Sequence, residues 1–256
     1  MTAPALVEHL LKARLGRAPA SPIGDVAPDL VLEEAYALQR QLEQALVARG
    51  ERVVGYKVGF TNAALQERHG VSEPVLGFLL ASGVFGGGDL VPLSRFVALG
   101  VEVEVAFLLR SELAGPGVTA ASALLAVEGA LPALELIDLR LIGAPRGVDV
   151  VADGVYANAI VLGRPVTPVA GVDLALEGVV LEQDGQVVAT QTAAEVLGNP
   201  LVSLAWAANA LGRMGRGLRA GDIVLTGSIS KVLRPSAGQS VRASFTRLGS
   251  VGCRFA

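Results

Sequence analysis

The segment at positions 101–108 constrains the fold most, because its first five residues alternate valine with glutamate in a run as long as a β-strand. Side chains two residues apart in a strand point to the same face, so Glu102 and Glu104 share one face and three valines share the other. Two adjacent carboxylates are very costly to bury without a cation. By itself the pattern therefore fits either an antiparallel strand with one solvated face or a strand whose buried carboxylates bind a cation.

A third acidic residue, which lies in a separate apolar run, favours the buried interpretation. Glu135 lies among Leu134, Leu136 and Ile137, where a surface position is hard to explain. The chain is 52% hydrophobic and only 18% charged, so such strands have a large core to enter. Two strands that together offer three carboxylates form an oxygen cage suited to a hard divalent cation, with open positions for water or substrate oxygens.

Composition excludes several other classes of protein. The single cysteine, Cys253, excludes a disulfide framework, and two histidines cannot form a histidine-rich zinc site. A net charge of −3 provides no basic face for nucleic acid. No apolar stretch reaches the about 18 residues that a membrane span needs, and the first 20 residues lack the pattern of a signal peptide. We therefore expect a cytoplasmic protein that binds neither membranes nor nucleic acid.

Residue periodicity predicts an α+β fold, with a helical N-terminal segment at 1–50 and a β-rich body at 51–256 that contains the candidate metal site, together forming one integrated domain. The Asp184-Gly185 pair between two apolar runs predicts a β-hairpin. The predicted helices are 5–15, 30–50, 62–69, 120–129 and 200–212. The predicted strands are 53–60, 100–109, 133–141, 157–162, 174–183, 186–191, 222–226 and 240–245.

Ordered motifs occur along nearly the full length of the chain. Besides the acidic strand, they lie at 34–39, 55–61, 77–79, 132–135, 151–153, 196–198, 221–227 and 249–251. In this order they resemble the fumarylacetoacetate hydrolase superfamily, and more closely its branch of 2-oxopent-4-enoate hydratases and 4-oxalocrotonate decarboxylases. The resemblance implies a strand-rich mixed β-sheet roll of the fumarylacetoacetate hydrolase C-terminal type after the helical segment.

The resemblance also implies a metal site and a catalytic residue. Glu102, Glu104 and Glu135 would bind Mg²⁺ or Mn²⁺, which acts as a Lewis acid on a 2-oxo acid substrate. Lys57, which lies two residues from a glycine on each side, would transfer protons and help to bind the substrate. We expect a buried lysine beside a dication to have a lowered pKa.

Substrate binding is implied for several further positions. In the glycine-bounded turn at 226–228, backbone N–H and hydroxyl groups would contact the substrate carboxylate. The substrate-binding candidates are Thr226, Gly227, Ser228, Val75, Leu76 and Asp153.

The chain also departs from the family's pattern. Val75 stands where hydratases of the family carry an acid that helps to activate water, and in this it resembles the decarboxylase branch. An apolar pocket favours loss of a carboxylate as CO₂, whereas hydration needs a positioned water. Gly100, Gly154 and Asn199 stand where an arginine, an asparagine and a histidine are common.

The function that the resemblance implies is that of a metal-dependent lyase in the degradation of aromatic compounds. It would hydrate a short 2-oxo or 2-hydroxy dienoic acid such as 2-hydroxypenta-2,4-dienoate, with a 4-oxalocrotonate-type decarboxylase as a nearly equal alternative. An acylpyruvate C–C hydrolase is a weaker alternative, because His9 and His69 are poor candidates to activate water. The intact carboxylates and Lys57 argue against a non-catalytic scaffold.

We expect two kinds of protein partner. A chain with few charges and much aliphatic surface should form a homo-oligomer. The resemblance also implies a complex with a neighbouring lyase of the same pathway.

Overall fold

A computed structural model describes residues 2–256, and in this range two β-sheets form the framework of the protein. The helices are α1 (Ala3–Gly16), α2 (Leu32–Val47), α3 (Ala63–His69), α4 (Ala120–Ala126), α5 (Gly147–Ala152) and α6 (Pro200–Arg213). The first strands are β1 (Val53–Gly59), β2 (Val75–Leu80), β3 (Val84–Gly86), β4 (Leu90–Val91), β5 (Leu99–Leu109) and β6 (Val127–Asp138). The later strands are β7 (Ala157–Leu162), β8 (Gly178–Gln183), β9 (Gln186–Thr192), β10 (Ile223–Leu225), β11 (Ser240–Phe245) and β12 (Ser250–Phe255).

Both sheets mix parallel and antiparallel strands. The larger sheet has the order β2-β1-β10-β5-β6-β7-β3, and the smaller has the order β4-β12-β11-β8-β9. Strand β1 runs parallel to β10, and β3 runs parallel to β7, whereas the other pairs of the larger sheet are antiparallel. The predicted α+β class and mixed β-sheet are confirmed.

The long pair β5 and β6 forms the centre of the larger sheet. In its register Glu102 faces Glu135 directly, and Glu104 faces Ala133. Directly opposed residues of an antiparallel pair have Cβ atoms about 4.5–5.5 Å apart. The backbone pairing therefore brings acidic residues from two separate segments to one face of the sheet.

The N-terminal helices pack against this sheet rather than apart from it. The Gln39 side chain on α2 donates hydrogen bonds to the Leu76 carbonyl at 2.8 Å and the Val151 carbonyl at 2.7 Å. The buried side chains of α1 and α2 belong to the same apolar core as those of β1, β2 and β5. None of the helices within residues 2–256 has the length and apolar character needed to cross a membrane.

Three sequence-based element predictions need correction. The helix predicted over 120–129 ends at Ala126, because Val127 already pairs with Leu109 as the first residue of β6. The strand predicted over 133–141 ends at Asp138, and the strand predicted from 174 begins at Gly178 after a short 3-10 helix. Strand β2 was not predicted because it is buried on both faces and therefore lacks a two-residue alternation. Strand β12 was also missed, although its burial does alternate.

Candidate metal centre and active-site cleft

Three carboxylates converge on one face of the central strand pair. One carboxylate oxygen from each of Glu102, Glu104 and Glu135 lies within 4.8 Å of the other two. Glu104 and Glu135 are fully buried, and Glu102 is partly buried. We call these three residues the carboxylate cluster. The convergence predicted from the sequence is observed.

The donor atoms of the carboxylate cluster fit a hard divalent cation. In the described part of the chain, Glu104 Oε1 and Glu135 Oε1 are buried and accept no hydrogen bond. Burial, followed by repulsion from Glu135, raises the pKa of Glu104 well above its ordinary value. Burial raises the pKa of Glu102 to about 7, although the nearby Lys57 ammonium partly opposes the shift. Buried acceptor oxygens are normally satisfied, and an oxygen-only donor set is the one that Mg²⁺ and Mn²⁺ prefer.

The predicted catalytic lysine lies beside this cluster. Lys57 Nζ is 2.8 Å from Glu135 Oε2 and donates a hydrogen bond to the Val155 carbonyl at 3.3 Å. Its side chain passes over Gly77, where an added Cβ would lie 3.2 Å from Lys57 Cδ. Burial lowers the pKa of Lys57, but the three carboxylates raise it more, so the net shift is upward. The lowered pKa predicted from the sequence applies to the site with a dication bound and stays a prediction.

A strained turn holds the carbonyl that contacts Lys57. Gly154, Val155 and Tyr156 have φ angles of 86°, 57° and 58°. This left-handed region is unusual for a β-branched residue and costs about 1–3 kcal/mol per strained residue. Two backbone hydrogen bonds secure the turn, from the Val155 N–H to the Val150 carbonyl at 2.8 Å and from the Asp138 N–H to the Tyr156 carbonyl at 2.9 Å.

Asp153, which is predicted to bind substrate, lies directly before this turn, and its carboxylate contacts Arg140. Its carboxylate is fully buried and accepts a hydrogen bond from Arg140 Nη1 at 2.5 Å. Arg14 contributes from the other side, with Nη2 donating to the Ala157 carbonyl at 2.5 Å. The structure therefore places Asp153 in an internal ion pair and not on the cleft wall.

The turn at 226–228, which is predicted to bind the substrate carboxylate, uses a backbone N–H to contact the carboxylate cluster. The Gly227 N–H donates a hydrogen bond to Glu104 Oε2 at 2.7 Å, which orients that carboxylate. Thr226 is fully buried, and its hydroxyl donates to the Val105 carbonyl at 3.0 Å. Ser228 lines the cleft. Ser228 is thus the residue of this turn whose side chain reaches the cleft wall.

Glu102 and Glu104 of the carboxylate cluster line a cleft of about 160 Å³. Its polar end is formed by Lys57, Thr61, Glu102, Glu104 and Ser228. The rest of the wall is largely apolar, with Val58, Gly59, Phe60, Leu65, His69, Ile137, Leu139, Val150, Val155, Tyr156 and Val232. Such a cleft suits a small acid whose polar end lies at the cluster and whose carbon chain lies against the apolar wall.

The two predicted residues on β2 lie on opposite faces of that strand. Val75 is fully buried beneath the cleft, and a Cβ added at Gly59 would lie 3.3 Å from its Cγ2. Leu76 points the other way, into the core beneath α2, where its N–H donates to Tyr36 Oη at 2.9 Å. Because neighbouring residues of a strand face opposite sides, one of the two had to point away from Lys57.

Sequence analysis missed several cleft residues. Thr61 is the last residue of the 55–61 motif and packs against Gly227, so its position next to the lysine strand is a usable signal. His69 stacks on Phe60 with ring centroids 4.4 Å apart, and burial lowers the pKa of His69. Tyr156 and Val232 reach the cleft from distant loops, which no local pattern indicates.

Known proteins resemble this chain over nearly its whole length. The model of the fumarylacetoacetate (FAA) hydrolase C-terminal family matches residues 46–256. A 2-keto-4-pentenoate hydratase of Paraburkholderia xenovorans (strain LB400) is 34% identical over 250 residues, covering 97% of this chain and 93% of the relative. A 4-oxalocrotonate decarboxylase of Pseudomonas sp. (strain CF600) is 32% identical over 252 residues, covering 98% and 96%.

A solved structure shows the same architecture. The 4-oxalocrotonate decarboxylase from Pseudomonas putida G7, complexed with magnesium and adipate, superimposes with a TM-score of 0.96 and 31% sequence identity. The match covers 99% of this chain and 97% of that one.

Proposed function

The chain belongs to the fumarylacetoacetate hydrolase C-terminal family, and on this basis we propose that it is a divalent-metal-dependent lyase that hydrates a short 2-hydroxydienoic acid. The superfamily and branch predicted from the motifs are confirmed. The proposed substrate is 2-hydroxypenta-2,4-dienoate or a close relative, formed when aromatic compounds are degraded. The observation that carries the proposal is a buried carboxylate cluster with an adjacent buried ammonium, both facing an apolar cleft.

Glu102, Glu104 and Glu135 would hold Mg²⁺ or Mn²⁺. Bound there, the ion would supply Lewis-acid polarisation of the substrate's 2-oxygen and carboxylate. The Gly227 N–H keeps one oxygen of Glu104 oriented, which fixes the direction of its other oxygen. The backbone thereby orients the Glu104 carboxylate before any ligand binds.

Lys57 is the proposed proton-transfer residue. An ammonium has three N–H donors, and those of Lys57 are partly used by Glu135 Oε2 and the Val155 carbonyl. The third donor remains for the substrate. In the first step of hydration, the carbon chain of the dienol gains a proton and its 2-hydroxyl group loses one, which gives an enone to which water then adds. Lys57 is the proposed carrier of the proton that reaches the carbon chain.

A second candidate function, decarboxylation of a 4-oxalocrotonate-type acid, is supported by Val75. Where a water-activating acid is expected in a hydratase, this chain has a fully buried valine close to Gly59 and Lys57. Apolar surroundings disfavour a carboxylate relative to neutral CO₂. The relatives include enzymes named for each reaction, and they favour neither.

The deciding experiment gives the purified protein Mg²⁺ with 2-hydroxypenta-2,4-dienoate and, separately, with 4-oxalocrotonate. We expect loss of dienol absorbance without release of CO₂. Release of CO₂ from the second substrate, with no hydration of the first, would establish the alternative. Failure of both reactions with Mg²⁺ and with Mn²⁺ would contradict the lyase proposal itself.

Substitution of Val75 by Asp sharpens the choice between the two reactions. In a hydratase the new carboxylate lies near Lys57 and can help to position water, so hydration should be kept or increased. In a decarboxylase it repels the departing carboxylate and suppresses CO₂ release. Val75→Leu is the matched control, because it keeps the position apolar.

We also propose a cytoplasmic homo-oligomer. Leu125 and Leu176 are exposed by 72% and 70%, which is the kind of surface that a subunit contact covers. The free, buried Cys253 suits a reducing compartment. Light scattering should give at least a dimer mass at micromolar concentration, and a monomer mass would refute the proposal. A complex with a neighbouring lyase stays a prediction.

A further inference from the structure

A second cleft, of about 190 Å³, lies near the end of α1, away from the carboxylate cluster. Three guanidinium groups, those of Arg14, Arg17 and Arg95, line it together with Asn158 and Ser82. We call this feature the arginine cleft. The proposed lyase reaction uses none of these side chains.

The three guanidiniums of the arginine cleft contact neutral acceptors. Arg14 Nη2 donates to the Ala157 carbonyl, Arg17 Nη1 to the Ser94 carbonyl at 3.2 Å, and Arg95 Nε to Asn158 Oδ1 at 2.7 Å. Among residues 2–256, no carboxylate lies within 4.0 Å of any of the three. Most of their N–H donors are therefore left for another acceptor.

The local charge is also unbalanced. Glu51 is the acidic residue in the lining, and one of its oxygens already accepts a hydrogen bond from Ser82 Oγ at 2.6 Å. Burial, followed by repulsion from Arg140, is the main reason that the pKa of Arg14 falls to about 9. Arg95 repels both Arg14 and Arg17, whereas Asp153 and Asp138 stabilise the charge of Arg14 and Glu51 stabilises that of Arg95. A bound anion would further relieve the repulsion between the guanidiniums.

Contacts within the protein hold the Arg14 guanidinium in place before any ligand binds. Arg14 lies over the Phe78 ring, 5.2 Å from its centroid, and it also donates to the Asp153 carbonyl at 3.4 Å. Arg95 is similarly held against the Phe85 ring at 5.9 Å. Donors that are already ordered lose little entropy when they bind, which is how a preorganised site gains affinity.

We propose that the arginine cleft binds a small oxyanion, such as a phosphate or a carboxylate, at a site separate from the carboxylate cluster. A guanidinium presents its donors in a planar fork that matches two oxygens of such a group. The cleft volume is several times the about 30 Å³ that one water occupies in the liquid, so it has room for a phosphate or a short carboxylic acid.

The test is isothermal titration calorimetry of the full chain with inorganic phosphate and, in a second arm, with succinate, both at constant ionic strength set with chloride. We expect saturable binding, and the tighter of the two ligands identifies the type of oxyanion. Arg95→Gln and Arg17→Gln should each weaken binding at least tenfold. Arg17 is exposed, so its variant keeps the fold and guards against loss of binding through unfolding.

Two controls separate this site from others. Arg242→Gln removes an exposed arginine on β11 and should bind as the unmodified protein does. Glu104→Gln alters the carboxylate cluster and should leave oxyanion binding intact, so the result stands whether or not the lyase proposal holds. The proposal would be overturned if the heat of titration shows no saturable binding once ionic strength is held constant. It would also be overturned if both Arg95→Gln and Arg17→Gln bind with unchanged affinity.

Discussion

Two clusters of buried charge lie close together in this protein, and they are built in opposite ways. The carboxylate cluster sets three acids against one ammonium, that of Lys57. The second cluster is formed by Arg140, Asp138 and Asp153, and we call it the Arg140 cluster. It is also buried, and it surrounds one guanidinium with two acids. Strand β6 contributes to both, with Glu135 to the first and Asp138 to the second.

The two clusters differ in how far the protein itself satisfies the charges. Asp138 Oδ1 accepts hydrogen bonds from two backbone N–H groups, those of Val97 and Ala98, while its Oδ2 lies 3.3 Å from Arg140 Nε. Burial lowers the pKa of Arg140, but Asp153 and Asp138 raise it more, so its charged form is favoured. In the carboxylate cluster burial raises the pKa of Glu104, so its charged form is disfavoured.

This difference indicates that the Arg140 cluster stabilises the fold and that the carboxylate cluster is suited to bind a cation. Burying a charge costs free energy unless partners compensate for it, and the Arg140 cluster contains those partners. Within residues 2–256 each cluster contains buried polar atoms without a hydrogen-bond partner, namely Glu104 Oε1 and Glu135 Oε1 in the first and Arg140 Nη2 and Asp153 Oδ1 in the second. The carboxylate cluster has the larger excess of negative charge, with three acids against one ammonium compared with two acids against one guanidinium. Removing a charge should therefore cost activity in the first region and stability in the second.

The largest expected effect is that of Glu104→Gln on turnover. The variant should lose measurable lyase activity, and its Mg²⁺ affinity should fall by more than the roughly 10–100-fold that loss of an outer-shell partner costs. Without metal its free energy of unfolding should be unchanged or higher, because one of three repelling carboxylates is gone. Rate assays, calorimetry and urea unfolding check the three parts.

Glu128→Gln is the control for that experiment, since Glu128 lies on the same strand as Glu135 but is exposed. It should behave as the unmodified protein in all three measurements. A Glu104→Gln protein that turns over normally, or that unfolds much more easily without metal, would place Glu104 with the structural charges instead.

The next effect concerns Lys57. Lys57→Ala should lower the rate by about 10²–10⁴-fold, the range expected for loss of a general acid or base. Lys57→Arg should be nearly as inactive, because a guanidinium does not release its proton at working pH. Mg²⁺ affinity should be kept or increased in Lys57→Ala, since a positive charge beside the carboxylates has been removed. Turnover within tenfold of the unmodified protein would contradict the role.

Stability should respond most to the Arg140 cluster. Asp153→Asn removes one of the two charges that compensate Arg140, and we expect the free energy of unfolding to fall by about 3–5 kcal/mol. Mg²⁺ binding to the remaining folded protein should be retained. Asp29→Asn is the exposed control and should stay within about 0.5 kcal/mol. A loss below about 1 kcal/mol in Asp153→Asn, measured by urea unfolding, would remove the contrast between the two clusters.

The smallest expected effect is that of the buried Cys253 thiol on the pH dependence of stability. Burial, with a small contribution from Asp89, raises the pKa of the Cys253 thiol to about 12. The folded thiol therefore stays protonated at pH 9, where an unfolded thiol is substantially ionised, and stability should decline slightly as pH rises through 9. Alkylation by iodoacetamide at pH 8.5 should be slow in the folded protein and fast in urea. Equal rates would show that Cys253 is not buried in solution.

The sequence alone indicated the chemistry of the site because strand geometry is local. Alternation placed Glu102 and Glu104 on one face, and the apolar neighbours of Glu135 marked it as buried. The period of the helices and strands similarly predicted most elements of the fold. The organisation into a helical segment at 1–50 and a body at 51–256 that form one domain stays a prediction. The hydrogen bonds from Gln39 to β2 and α5 join the two parts.

Tertiary structure decided which charges have partners and which do not. The register of β5 on β6 brought Glu102 opposite Glu135, and the strained turn placed the Val155 carbonyl on Lys57 across 98 residues of sequence separation. The family motif predicts Asp153 as a substrate ligand, whereas the fold pairs it with Arg140. A sequence specifies which side chains carry charge, whereas compensation of that charge depends on distances between segments that only folding brings together.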